Sequence, residues 1–178
     1  LAIIRKVKPL CDAAGVPLIV NDDALVCKLS GAAGVHIGLG DGSIRAAGKL
    51  LGSDKIIGAT AHNLDEALAA QAAGADYIGV GAAFGSKSKG NAVRLTNLKT
   101  YRDITSAVDI PVIAIGGINA GNVGELAGLG LSGIAVISAI FGSRDIAASA
   151  HELRTAAQAL TSSPCAEDNS EEGTEADG

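Results

Sequence analysis

Six short runs of β-branched and apolar residues recur along the chain, beginning near Pro17 (PLIV), Val35 (VHIG), Ile56 (IIGA), Tyr77 (YIGVG), Val112 (VIAIGG) and Gly133 (GIAVIS), with helix-like segments between them. Most of these runs are continuously apolar and do not alternate. That is the pattern of parallel strands covered on both faces. Strand–helix alternation predicts an α/β fold, and either a barrel or a doubly wound sheet satisfies it. Three strands share an introduction, GAAGVHIG at 31 to 38, GADYIGVG at 74 to 81 and GLSGIAVIS at 130 to 138. In each the leading glycine suits the left-handed residue that ends a helix and reverses the chain into the next strand. The spacing of Asn63 and Glu66 predicts a capped N-terminus for the Ala-rich helix that ends at Gly74.

Composition narrows the function classes. With 178 residues and 48% hydrophobic content the chain can bury one core, and 24 glycines beside only 2% aromatic residues favour tight turns and close helix-on-sheet packing. The net charge of −5 is carried by the end of the chain: without the six acids Glu167, Asp168, Glu171, Glu172, Glu175 and Asp177 it becomes +1 for the body. A nearly neutral body poor in aromatics offers neither the basic stripe nor the stacking platform of a nucleic-acid binder. No stretch approaches the roughly 20 apolar residues of a membrane span, and the start lacks a signal-peptide pattern. Cys11, Cys27 and Cys165 show no metal-ligand spacing, so a reducing cytoplasmic location is expected. Residues 1–160 are expected to form one domain, and 161–178, without periodicity or apolar content, a disordered acidic tail.

The candidate chemistry sits after the strands. Asn21-Asp22-Asp23 follow PLIV and Asp41 follows VHIG, which places carboxylates at the ends of two consecutive strands, where they could share one cation. Mg²⁺ accepts one or two carboxylates together with substrate phosphate oxygens. The commoner use of an acid after a strand is to cap the next helix. The long, basic loop at 84 to 95 offers Ser86, Lys87, Ser88 and Lys89 to an anion, although Ser and Lys are also ordinary in solvated loops. Gly116-Gly117 after the fifth run and Ile137-Ser138 after the sixth suit a main-chain phosphate cradle, or in the case of the glycines a simple tight turn. His36 lies within a strand and His151 within the last helix, so both read as structural or surface residues. His62, at a strand end, faces either the site or a helix cap. No Ser-His-Asp or Cys-His constellation is present.

Taken together, VPLIVNDD, GVHIG with Asp41 three residues on, IIGATAH, DYIGVGAAFGSKSK, IPVIAIGGIN and GIAVISAIF resemble, in that order, the thiamine phosphate synthase family over nearly all of residues 10 to 155. The resemblance implies a phosphate-binding (β/α)8 TIM barrel and the joining of a pyrimidine methyl diphosphate to a thiazole phosphate, releasing pyrophosphate, with Mg²⁺ as cofactor. It implies Asp22 and Asp41 as metal ligands, Asn21 and Lys89 as diphosphate contacts, and Ser86 and Ser88, where many members carry threonines, as substrate-binding residues. Thr60 would stand near the leaving group, where the family often has serine, and Gly117, Ile137 and Ser138 would hold the thiazole phosphate. The implied chemistry is dissociative, with Lys89 catalytic through charge stabilisation and no acid–base dyad required.

Two features depart from the family. Leu39-Gly40 stand where members carry Gln-Glu before the aspartate, and the basic Gln-x-Arg-x-Lys strand has no counterpart here. A complete barrel takes about 250 residues. The chain, with no methionine, is therefore expected to be a fragment holding about six of the eight βα units, with little activity alone and open to completion by another chain or to homo-oligomerisation. The alternatives are a thiazole tautomerase, which keeps a histidine near His62, and a non-catalytic remnant that binds phosphate ligands.

Overall fold

The computed structural model describes residues 1–85 and 97–162. Its six strands are β1 (Ile19–Asn21), β2 (Gly34–Ile37), β3 (Ile56–Ala61), β4 (Tyr77–Gly81), β5 (Val112–Ile115) and β6 (Gly133–Ala135). They pair in sequence order, every pair parallel, so the sheet is the open arc of a (β/α) barrel. Helix α1 (Ala2–Ala13) precedes β1, and α2 (Ala24–Ser30), α3 (Ile44–Leu51), α4 (Leu64–Ala73) and α5 (Lys99–Ala107) connect successive strands up to β5. Between β5 and β6 the helix shrinks to a 3-10 turn, Val123–Leu126; α6 (Ser138–Phe141) and α7 (Ile146–Ser162) follow β6. The acidic tail expected from residue 161 lies, after Ser162, outside the described residues.

Each strand has two faces with different partners. Val35, Ile37, Ile57, Ala59, Ile78, Val80, Val112 and Ala114 point outward and are buried beneath the helices. One cluster, around Cys27, Ala47 and Ile57, fills the space under α2 and α3; a larger one gathers around Ile78, Val80, Tyr101, Ile104 and Leu126. Ala67 and Ala70 let α4 lie close against the sheet. Tyr101 is fully buried, and its hydroxyl donates to the Val80 carbonyl at 2.9 Å, so the one polar atom carried inside is satisfied. Burial pushes this phenol well above its ordinary pKa.

The glycine signals divide. Gly31 and Gly74 end α2 and α4 in the left-handed region, at φ +66° and +96°, as the repeated introductions predict. Gly130 also has positive φ, +71°, but no full helix precedes it: the chain turns there out of a loop that follows the 3-10 turn. Asn63 caps α4 as its spacing predicts, its side chain accepting from the Glu66 N–H at 2.9 Å. The Glu66 carboxylate in turn accepts from the His62 N–H at 2.7 Å and the Asn63 amide at 2.9 Å.

Candidate active site

Because all six strands run the same way, everything that follows their C-terminal ends shares one rim. Asn21 closes β1, Asp22 and Asp23 follow it, Asp41 lies just beyond β2, Thr60 is the penultimate residue of β3, Gly117 follows β5 and Ile137 and Ser138 follow β6. Ser86, Ser88 and Lys89, in the loop after β4, lie outside the described residues.

The structure separates the three acids that the sequence left together. Asp23 is the cap of α2, its Oδ1 accepting from the Val26 N–H at 2.8 Å, and α3 is capped by Ser43, so Asp41 is not needed there. Asp22 adds one bond to the end of the β1–β2 ladder, from its N–H to the His36 carbonyl at 2.8 Å, and takes a left-handed backbone, φ +67°, unusual for a residue with a side chain. Asp41 sits in a tight turn, its N–H on the Gly38 carbonyl at 3.1 Å. The two side chains converge over Gly38. A Cβ there would collide with an Asp41 carboxylate oxygen and stand 3.7 Å from Asp22 Oδ1. Neither carboxylate has a hydrogen bond or ion pair among the described residues. Two free carboxylates over a missing side chain form a cradle of the kind Mg²⁺ takes together with phosphate oxygens. A cleft of about 480 Å³ opens beside them, lined by Asp22, Asp23, Asp41, Ser43 and Ala47 among others. Among the described residues no group of three or more His, Cys, Asp or Glu is placed to hold a metal. Leu39, two residues before Asp41, is 59% exposed and offers no donor.

A second set of groups lies around Gly116 and Gly117, both at positive φ. A Cβ on Gly117 would strike the Gly85 carbonyl, and one on Gly116 would come within 2.6 Å of Ala82 Cβ, so the loops after β4 and β5 close on each other only because both residues are glycine. The Phe84 N–H on the Gly116 carbonyl, at 2.9 Å, stitches them. The Gly117 carbonyl accepts from Asn122 Nδ2 at 3.0 Å and Asn119 Nδ2 at 3.3 Å, which fixes the loop that carries it. Ser138 opens α6 and lines a cleft of about 320 Å³ with Asn119, Gly121, Ser143, Ser149 and Glu152; Gly117 and Ile137 flank this cleft in sequence without lining it.

The histidines are placed differently from one another. His62 is used at the start of α4: its N–H and its ring, Nδ1 at 3.2 Å, both meet the Glu66 carboxylate. Partial burial opposes ionisation of Glu66, but these contacts and the Asn63 amide outweigh it and hold its pKa below the ordinary value. His36 faces the inside of the arc, with Nε2 2.9 Å from the Thr60 hydroxyl and Nδ1 3.0 Å from the Tyr77 hydroxyl. Neither that contact nor the two asparagines bracing Gly117 is foreseen from the motifs. Strand parity carries the missing signal for His36: with Val35 and Ile37 turned to the helices, residue 36 must face inward with its register partners Asn21 and Gly58. Cys27 is fully buried, and burial raises its thiol pKa although Lys55 opposes this, so it is a core residue.

Known proteins are similar to this chain in sequence and fold. A family model described as thiamine monophosphate synthase matches residues 1–140. The thiamine-phosphate synthase of Clostridium tetani is 42% identical over 151 residues, which are 85% of this chain and 72% of that protein. The Ruminiclostridium cellulolyticum enzyme of the same name is 44% identical over 147 residues, 83% of this chain and 70% of that one. Among solved structures, the thiamine phosphate pyrophosphorylase of Pyrococcus furiosus superposes with a TM-score of 0.81 at 36% identity, covering 89% of this chain and 76% of that one. On that match over residues 1–140, and on relatives more than 40% identical over most of its length, this chain belongs to the thiamine monophosphate synthase family.

Proposed function

We propose that this chain acts in thiamine biosynthesis as a thiamine-phosphate synthase, a transferase that joins 4-amino-2-methyl-5-(diphosphomethyl)pyrimidine to a thiazole phosphate and releases pyrophosphate. The observation that carries the site assignment is the convergence of Asp22 and Asp41 over Gly38, with neither carboxylate spent on a cap or an ion pair. These two residues would hold Mg²⁺, which when bound supplies positive charge against the diphosphate oxygens. Asn21, at the end of β1, and Lys89 are the further contacts to that diphosphate, with Lys89 balancing the charge that grows on it, and Ser86 and Ser88 offer hydroxyls to the substrates. Thr60 offers a hydroxyl to the same leaving group. The bond from the pyrimidine methylene carbon to the diphosphate oxygen breaks, the oxygen keeps the electron pair, and the thiazole nitrogen supplies the pair for the new C–N bond. Main-chain donors at Gly117, Ile137 and Ser138 hold the thiazole phosphate so that its nitrogen faces the methylene carbon. Proximity and charge stabilisation supply the rate, and no general base is needed.

The test combines turnover with binding. Formation of thiamine phosphate and pyrophosphate should require Mg²⁺, and calorimetry should detect Mg²⁺-dependent binding of inorganic pyrophosphate. Both should fall at least tenfold in Asp22→Ala and in Asp41→Asn. Unchanged binding and turnover in Asp22→Ala would overturn the assignment. The tautomerase reading gains nothing from the structure, since the histidine it would use, His62, is engaged with Glu66 at the start of α4.

A further inference from the structure

The inner face of the sheet carries a hydrogen-bonded chain of which the reaction as described uses only the last member, Thr60. Tyr77 begins β4, His36 lies in β2, and Thr60 is the penultimate residue of β3, at the rim. The Tyr77 hydroxyl is 3.0 Å from His36 Nδ1, and His36 Nε2 is 2.9 Å from Thr60 Oγ1. The rings of Tyr77 and His36 lie with centroids 5.5 Å apart. Two glycines make room for them. A Cβ on Gly58 would collide with the Tyr77 ring, and one on Gly79 would stand 3.2 Å from His36 Cε1. The space is therefore shaped for these two rings. The chain of contacts spans the inside of the arc, from the base of β4 to the C-terminal end of β3.

A neutral imidazole donates from one nitrogen and accepts at the other, so the chain can run in only one of two directions. If Thr60 is to give its proton to an anionic oxygen, its Oγ1 must accept from His36, which then requires His36 Nδ1 to accept from Tyr77. We propose that Tyr77, His36 and Thr60 form a one-way donor relay, Tyr77 O–H to His36 Nδ1, His36 Nε2–H to Thr60 Oγ1, and Thr60 O–H toward the leaving diphosphate. His36 and Tyr77 are thus positioning residues that act through Thr60. No proton is transferred; the relay excludes the rotor in which the Thr60 hydroxyl would donate back to His36, leaving its proton for the diphosphate. Burial raises the Tyr77 pKa, which keeps its donor proton in place through the working pH range. The proposal rests on the function above only in its last link, the contact of Thr60 with substrate.

Nitrogen-15 NMR of the full chain tests the first two links without any turnover. His36 should be the Nε2–H tautomer, and Tyr77→Phe, which keeps the ring over Gly58 and removes only the hydroxyl, should shift it toward a mixture. An Nδ1–H tautomer overturns the relay, as does a His36 signal unmoved in Tyr77→Phe. Turnover tests the last link. His36→Leu should lower kcat about tenfold with little change in KM for the pyrimidine diphosphate, and His36→Gln, whose amide can still donate to Thr60, should recover most of the loss. Thr60→Val should lower kcat as much, and adding His36→Leu to it should cost nothing further. Multiplying effects in the double variant would show that His36 works by another route. Absence of turnover in the unmodified chain would count against the functional reading, while the tautomer measurement still decides the relay. Thermal melts of each variant separate these losses from unfolding.

Discussion

Asp22 holds the left-handed conformation at φ +67°, which costs an L-residue roughly 1–2 kcal/mol less whatever its short polar side chain recovers. The strain aims its carboxylate back over Gly38 toward Asp41. Stability and function should therefore separate at this position. Asp22→Gly relieves the strain, so its melting temperature should match or exceed that of the unmodified chain, while pyrophosphate binding with Mg²⁺ is lost; Asp22→Ala should lose the binding and about 1 kcal/mol of stability as well. Chemical denaturation beside calorimetry reads both quantities. Glu66 gives a pH signature of its own. Its pKa is lowered in the folded state, so its contribution is present above the ordinary glutamate value of about 4.3 and is lost as pH falls through the lower, folded value. The difference in melting temperature between the unmodified chain and Glu66→Gln should be largest near neutral pH and should shrink as the solution is acidified below pH 4 or so. A difference that grows on acidification would contradict the capping role of this carboxylate.

At the scale of strands and loops, the glycines divide the labour. Gly58 and Gly79 leave room on the inner face for Tyr77 and His36, and Gly117 lets the β5 loop lie against Gly85. Gly117→Ala should be the costliest of these changes. The position combines φ +68° with a collision against backbone, so a loss of 2 kcal/mol or more is expected, with weakened thiazole-phosphate binding. Gly79→Ala meets only the edge of an imidazole that can shift by a few tenths of an ångström, so it should cost less stability and show its effect in the His36 resonances. Denaturant melts of the two variants give the comparison. Much of this level is readable beforehand. The apolar runs, the Asn63 cap and the left-handed Gly31 and Gly74 follow from local rules that depend on neighbours a few residues away. The 3-10 turn at Val123–Leu126 was not readable, because it follows from the tight Asn119–Asn122 loop that braces Gly117.

Over the whole molecule, β1 pairs with β2 alone and β6 with β5 alone, so among the described residues the sheet has two edges. On the β1 side α1 and α2 expose Ile3, Leu10, Leu25 and Leu29, and beyond β6 Ile137, Phe141 and Ile146 are exposed. Unpaired edges beside apolar surface favour association. The 178-residue chain should sediment with a mass that rises with concentration, and Leu10→Lys with Phe141→Lys should reduce this without lowering the melting temperature. A monomer at every concentration would refute the expectation. No helix among the described residues is long and apolar enough to cross a membrane.

The sequence by itself determined the alternation of strand and helix, the rim on which Asn21, Asp22, Asp41, Thr60, Gly117 and Ser138 lie, and the family, because these depend on residue order and on the period of apolar positions. Only the tertiary structure decided which acids are caps and which are free, and that His36 reaches Thr60 and Tyr77. The His36 contacts depend on side chains 24 and 41 residues apart meeting across parallel strands, and the pairing of Asp22 with Asp41 on two loops converging over Gly38. Distances of that kind arise from register and twist, which no local stretch of chain encodes.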